Sequence, residues 1–304
     1  MKKHNIFLLL IGLSVWVHAQ ENIINSDFAI RDFSIQKDSI YFIEKRDVKS
    51  YNFKTNKITK DGYFIGGYGL HIFNDIKNDQ IITISNEFER TISSLRFYNK
   101  KSKKVENVFY YKKGKAIKAL IIKENKIAIL SMNNNKIIIV DYSAKPVFKI
   151  LHNISLKALA RDFYFKDNSL FYATDLGNIY KYNLKTKKNK LIVSYGEVIT
   201  NLNIYNNTIV FSTINGAIVK YNTFNNNVLQ TEIKNNFILC TFLLDNKLIC
   251  GTFNGSIIVL SLDKMKIVTE FNYHNRSVLK IAKGTNNDFY SSSIDKTFKK
   301  WKIE

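Results

Sequence analysis

Three segments of this chain repeat one pattern at a fixed spacing: Ala173-Thr-Asp-Leu-Gly-Asn-Ile-Tyr-Lys-Tyr-Asn183, Ser212-Thr-Ile-Asn-Gly-Ala-Ile-Val-Lys-Tyr-Asn222 and Gly251-Thr-Phe-Asn-Gly-Ser-Ile-Ile-Val-Leu-Ser261. Their glycines, Gly177, Gly216 and Gly255, lie 39 residues apart. A similar step leads back to Asn135 and forward to Lys296. A corner that recurs about every 40 residues marks a unit that cannot bury its apolar face alone, so neighbouring units must stack. Around each corner the apolar runs are short, alternating or continuous over a few residues, and no helical period is sustained. With one Pro and 12 Gly, most turns fall to Asn and Asp, which tolerate the left-handed region.

Seven such units can be traced. The first spans Phe28 to Gly67 and the second Tyr68 to Gly114, its third strand expected over Thr91–Tyr98; the others begin near Ala116, Leu156, Glu197, Phe237 and Val278. About four strands per unit predict an all-β, seven-bladed β-propeller of four-stranded antiparallel blades. Six or eight blades, or an unclosed β-sandwich array, are the alternatives. The last unit carries only three strands, while Ile23 and Ile24 belong to no other unit. Residues Asn22–Asn25 are therefore expected to pair beside Thr297–Trp301, closing the ring and removing an open sheet edge.

The most specific motif lies at the end. His274 precedes a strand beginning at Val278; Ser291 and Ser293 stand on the next, Asp295 in the following turn, and Trp301 on a third strand. This unit resembles one repeat of the WD-repeat propellers. The resemblance implies a hydrogen-bonded corner in which His274, Ser291 or Ser293, Asp295 and Trp301 hold the blade together, a structural role and not a catalytic Ser-His-Asp set. The other units share the outline only, with Tyr182, Tyr221 and Leu260 where the motif has Trp.

The N-terminus reads as a targeting segment. Lys2 and Lys3 precede an apolar run from Ile6 to Val17, and Val17-His18-Ala19 ends in a small residue. A secretory signal peptide over residues 1–19 is expected, leaving residues 20–304 as one propeller domain, exported to a periplasmic or extracellular site. The run is shorter than the roughly 20 residues that span a bilayer, so no transmembrane segment is expected after cleavage. Removing residues 1–19 takes away two lysines and no acid, lowering the net charge from +21 to +19. That charge favours an acidic partner, although the lysines are dispersed along the chain. In an oxidising compartment Cys240 and Cys250 are candidates for a disulfide. A three-residue loop between their strands would set them opposite one another, and a two-residue loop would put them on opposite faces.

No catalytic residues, metal ligands or cofactor are expected. Metalloprotease helix motifs, phosphate loops, dinucleotide fingerprints and nucleophile elbows are all missing from the sequence. One local echo stands out: Arg31-Asp32-Phe33 recurs as Arg161-Asp162-Phe163 in the first strands of units one and four. Arg31, Asp32, Arg161 and Asp162 are thus candidates to bind a polar ligand across the central channel, or else to neutralise one another in pairs. The composite expectation is an exported, monomeric, non-catalytic scaffold that binds a protein partner and no specific nucleic acid. The alternatives are a small-ligand or enzymatic propeller, of lactonase-like or quinone-dependent type, and attachment to an anionic surface polymer.

Overall fold

The computed structural model describes residues 20–36, 38–63, 67–234, 236–285 and 287–303; the expected signal peptide lies outside them. Twenty-eight strands, β1 to β28 in chain order, form seven four-stranded antiparallel sheets arranged as a propeller. The innermost strands are β2 (Ile30–Gln36), β6 (Gly67–Asp75), β10 (Ala116–Lys123), β14 (Ala160–Lys166), β18 (Ile199–Tyr205), β22 (Ile238–Leu244) and β26 (Val278–Lys283). Each abuts the innermost strand of the next blade, and β26 closes on β2.

Burial follows from each blade being sandwiched between two others. Second strands such as β15 (Ser169–Thr174) and β19 (Thr208–Thr213) are buried along their whole length, so both faces carry apolar residues. Outermost strands such as β21 (Val228–Glu232) are mostly exposed. The core is therefore a series of seams between blades. In one, Leu130, Ile137 and Ile139 pack on Phe163, Leu170 and Tyr172.

The ring closes through the N-terminal strand. β1 (Glu21–Asn25) pairs antiparallel with β28 (Thr297–Lys302), Glu21 opposite Lys300 and Asn25 opposite Thr297. Ile24 is buried with Phe298 and Tyr290 of the last blade and with Ile30 and Phe33 of the first. Phe33 and Phe298 meet edge-to-face at 4.7 Å across that seam.

The turns are built as the composition requires. Among the described residues, ten of the fifteen non-glycine residues with positive φ are Asn or Asp. Asp167 and Asn168, at φ of 48° and 54°, form a two-residue hairpin turn whose twist matches the flanking strands. The corner residues Gly177, Gly216 and Gly255 all have positive φ, as do Asn135 and Lys296 in the equivalent places. The third strand of the second blade, β8, runs Ser93–Asn99 and so starts two residues later than expected.

The two cysteines do not bond. A two-residue turn, Asp245-Asn246, joins β22 to β23 (Lys247–Thr252), and the register sets Cys240 opposite Gly251 and Cys250 opposite Thr241. The thiols consequently face opposite sides of the sheet and both are free. Burial pushes the Cys240 thiol up to about 12 and raises Cys250 further, so neither is poised to react.

Candidate functional site: a polar channel and an arginine-bearing face

The last blade holds the expected corner. Trp301 donates its indole N–H to Ser291 Oγ at 3.1 Å, and Ser291 Oγ lies 2.8 Å from His274 Nε2. His274 Nδ1 faces Asp295 Oδ2 at 3.0 Å. A ring protonated on Nδ1 satisfies every member in one direction, from indole to hydroxyl to imidazole to carboxylate. Asp295 also accepts the Thr297 hydroxyl at 2.6 Å and the Asn275 N–H at 3.0 Å. Burial disfavours its ionisation, but the bonds from His274 and Thr297 outweigh that, holding the carboxyl below the usual range. Ser291, not Ser293, is the link in the chain; Ser293 instead donates to Arg276 O and accepts the Asp295 N–H. With His274 and Trp301 buried, the arrangement is a structural clamp.

The channel is organised by a bulge that recurs in all seven innermost strands. The register slips between Ile30 and Asp32, Gly69 and His71, Ala116 and Lys118, Ala160 and Asp162, Ile199 and Asn201, Ile238 and Cys240, and Val278 and Lys280. A bulge re-aims the side chains beside it. The seven residues that follow the bulges line one central cavity of about 430 Å³, and each bridges to a neighbouring blade. Lys280 pairs with Asp32, and Asp32 takes His71 Nδ1 at 3.0 Å and the Ile72 N–H at 3.1 Å. His71 Nε2 lies 3.4 Å from Ile117 O. Lys118 pairs with Asp162, which accepts the Leu202 N–H at 2.8 Å. Asn201 donates to Ile238 O at 3.1 Å, and Cys240 Sγ lies 3.6 Å from Val278 O. Every seam of the ring is thus bridged from the same structural position.

This changes the reading of the Arg-Asp echo. The Arg31–Asp32 and Arg161–Asp162 pairs do not form. Each Asp is buried and stapled to three blades, accepting also the N–H of its own neighbour, Phe33 at 2.8 Å or Phe163 at 2.7 Å. Asp32 suffers a large desolvation cost, but Lys280 and His71 overcome it and hold its carboxyl low. Arg31 and Arg161 are the bulged residues themselves, unpaired in the ladder and exposed at the channel mouth. The echo therefore encodes one inter-blade staple used twice.

The mouth opens on the face that carries the corner turns and the loops between blades. The chain has 46 Lys and Arg, only six of them Arg. Arg31, Arg46, Arg90, Arg161 and Arg276 are exposed on this face, and Arg96 alone is buried in a strand. Among the described residues none of these five enters a salt bridge. Arg31 sits over the Tyr68 ring at 5.6 Å and Arg46 over Phe88 at 4.8 Å, while Tyr68 and Phe88 themselves touch. Across the mouth, Arg161 borders an open pocket of about 410 Å³ with Thr200, Ile214, Phe237, Leu239 and Phe253.

No family model matches the chain, and no curated protein matches it. Solved structures do. The WD40 β-propeller domain of Doa1 superposes with a TM-score of 0.76 at 13% identity, covering 94% of this chain and 96% of that one. The computationally designed protein Ika8 superposes with a TM-score of 0.67 at 12% identity, over 93% and 99% of the two chains. The chain is a WD-repeat-like β-propeller. At these identities the likeness concerns the fold alone.

In this propeller the corner face was the part least legible in the sequence. Its apolar residues, Ile214, Phe237, Leu239 and Phe253, come from two corner turns, an inter-blade loop and a bulge, and no linear pattern joins them. The scarcity of Arg was the available signal, because Lys at 40 positions obscures any count of charge alone. Among the described residues no group of three or more His, Cys, Asp and Glu is arranged to hold a metal ion.

Proposed function

We propose that this propeller is an exported, non-catalytic scaffold that binds a protein partner through its corner face. The supporting observation is the exposed apolar pocket beside Arg161, whose lining includes no acid, on a face where none of the five exposed arginines enters a salt bridge among the described residues. Exposed aromatic and aliphatic groups next to arginine are what protein interfaces use at their centres. Against a catalytic reading, His274 and Asp295 are committed to the corner, and Asp32 and Asp162 to the blade seams. The test is a partner-capture comparison between the native protein and Phe253→Ser, both folded by circular dichroism. Specific capture by the native protein and its loss in the variant is the expected result; equal capture moves the binding surface elsewhere. Export is checked separately by mass measurement of the secreted protein, with residues 1–19 removed as the expected outcome.

One observation favours a second reading, attachment to an anionic polymer. On the opposite face, between the fourth and fifth blades, a cleft of about 300 Å³ is lined by Lys166, Lys181 and Lys190 with Asp167 as the acid among its lining residues. Charge reversal at Lys181 and Lys190 that abolishes binding to heparin would support that role.

A further inference from the structure

We infer that the pocket beside Arg161 takes an acidic segment of a partner protein, a large apolar side chain resting against Phe237 and Phe253 and an adjacent carboxylate on the Arg161 guanidinium. This rests on the reading of the corner face as the protein-binding face, and adds the chemistry of what binds.

Three observations carry it. First, the pocket has a fixed apolar floor. The Phe253 N–H bonds to Phe237 O at 2.9 Å, and the two rings meet edge-to-face at 90°. Both rings stay about half exposed, at 49% and 58%, with Ile214 and Leu239 beside them. Apolar surface that is rigidly held yet open gains only when another apolar group covers it. Second, the lining includes no acid. Arg161 follows Ala160 at a bulge, so its side chain leaves the ladder at the mouth while its neighbour Asp162 is turned inward to Lys118. The guanidinium keeps its forked donors free for a planar bidentate acceptor. Third, arginine is concentrated on this face although lysine supplies most of the chain's positive charge. The Arg31–Tyr68–Phe88–Arg46 stack on the far side of the mouth offers the same combination of aromatic surface and guanidinium. A basic surface serving only long-range attraction has no need of this segregation, since lysine supplies the charge equally well.

The combination selects a peptide over a uniform polyanion. A sulfated or phosphorylated polymer meets the guanidinium but brings nothing aliphatic to cover Leu239 and Ile214. A segment with Leu, Phe or Trp next to Asp or Glu meets both.

The experiment is selection of a phage-displayed random peptide library on the purified protein, followed by affinity measurement of the enriched peptides on variants. Enrichment of an apolar residue beside Asp or Glu is expected. Arg161→Ala and Phe253→Ser should each weaken these peptides about tenfold or more, and Arg161→Lys should recover only part of the loss. Thermal melts of all three variants should match the native protein, because the altered side chains are exposed. Enriched peptides without acids, or peptides indifferent to Arg161→Ala, would overturn the inference. So would heparin binding the pocket with the same dependence on both Arg161 and Phe253. An empty selection would overturn it too, while leaving intact a scaffold that binds a folded partner by a broader surface.

Discussion

Asp295 shows how one residue can hold a blade while resembling a catalytic group. Its carboxylate ends a chain that begins at a buried indole, and every link is short. Asp295→Ala leaves His274, Thr297 and the Asn275 N–H without their acceptor, and should destabilise the protein by about 3 kcal/mol in urea titrations. Ser291→Ala should cost about 1–3 kcal/mol by orphaning Trp301 and His274 together, whereas Ser293→Ala leaves that chain whole. The pH dependence follows from the same groups. Asp295 and Asp32 have carboxyls held below the ordinary value in the folded state. The stability they contribute is therefore complete above the unfolded-state pKa of about 3.9 and is lost as the pH falls below it. The urea midpoint should stay level from about pH 7 to 5 and drop below about pH 4. Asp32→Asn should lower the midpoint at neutral pH and flatten the acid branch.

At the scale of the strand and its turn, the positive-φ glycines, Gly255 at a corner and Gly196 in the loop between the fourth and fifth blades, differ in what surrounds them. Gly255 has a φ of 101°, and an added Cβ would lie 2.2 Å from His274 O, a backbone atom with nowhere to go. Gly196 has a φ of 88° with nothing near the same position. Gly196→Ala should cost about 1–2 kcal/mol, the penalty of the left-handed region alone. Gly255→Ala should cost clearly more and disturb the His274 loop, seen as a larger drop in melting temperature. In the last blade Lys296 occupies the equivalent place with a φ of 70°; Lys296→Gly should raise stability by about 1 kcal/mol.

The molecule as a whole depends on two devices that act across blades. One is closure: β1 completes the last blade and buries Ile24 against the first. A chain beginning at residue 20 should fold, whereas one beginning at residue 27 exposes the free edge of β28 and the Phe298 seam. The shorter chain should aggregate, or elute expanded in size-exclusion chromatography. The other is the ring of seam bonds in the channel, in which Lys–Asp pairs hold two of the seven seams and other side-chain or backbone donors hold the rest. Asp162→Ala removes the acceptor of Lys118, Phe163 N and Leu202 N at once. It should cost about 2–4 kcal/mol and is measurable by denaturant unfolding.

The repeat period, the Asn and Asp turns, the spare N-terminal strand and the His274–Trp301 corner could all be read from the chain. Each is a local signal: a turn needs certain residues at certain places, and a blade needs a fixed length to return to its starting edge. The fate of Cys240 and Cys250 was legible only to two alternatives, because one residue more or less in a hairpin turn reverses every side chain beyond it. The Arg-Asp echo was visible, but its meaning was not. A bulge parts adjacent residues into different surroundings, and the lysines that claim Asp32 and Asp162 lie 248 and 44 residues away. The gathering of arginines and phenylalanines on one face was likewise decided only by the closed ring, which brings distant corners to a common side.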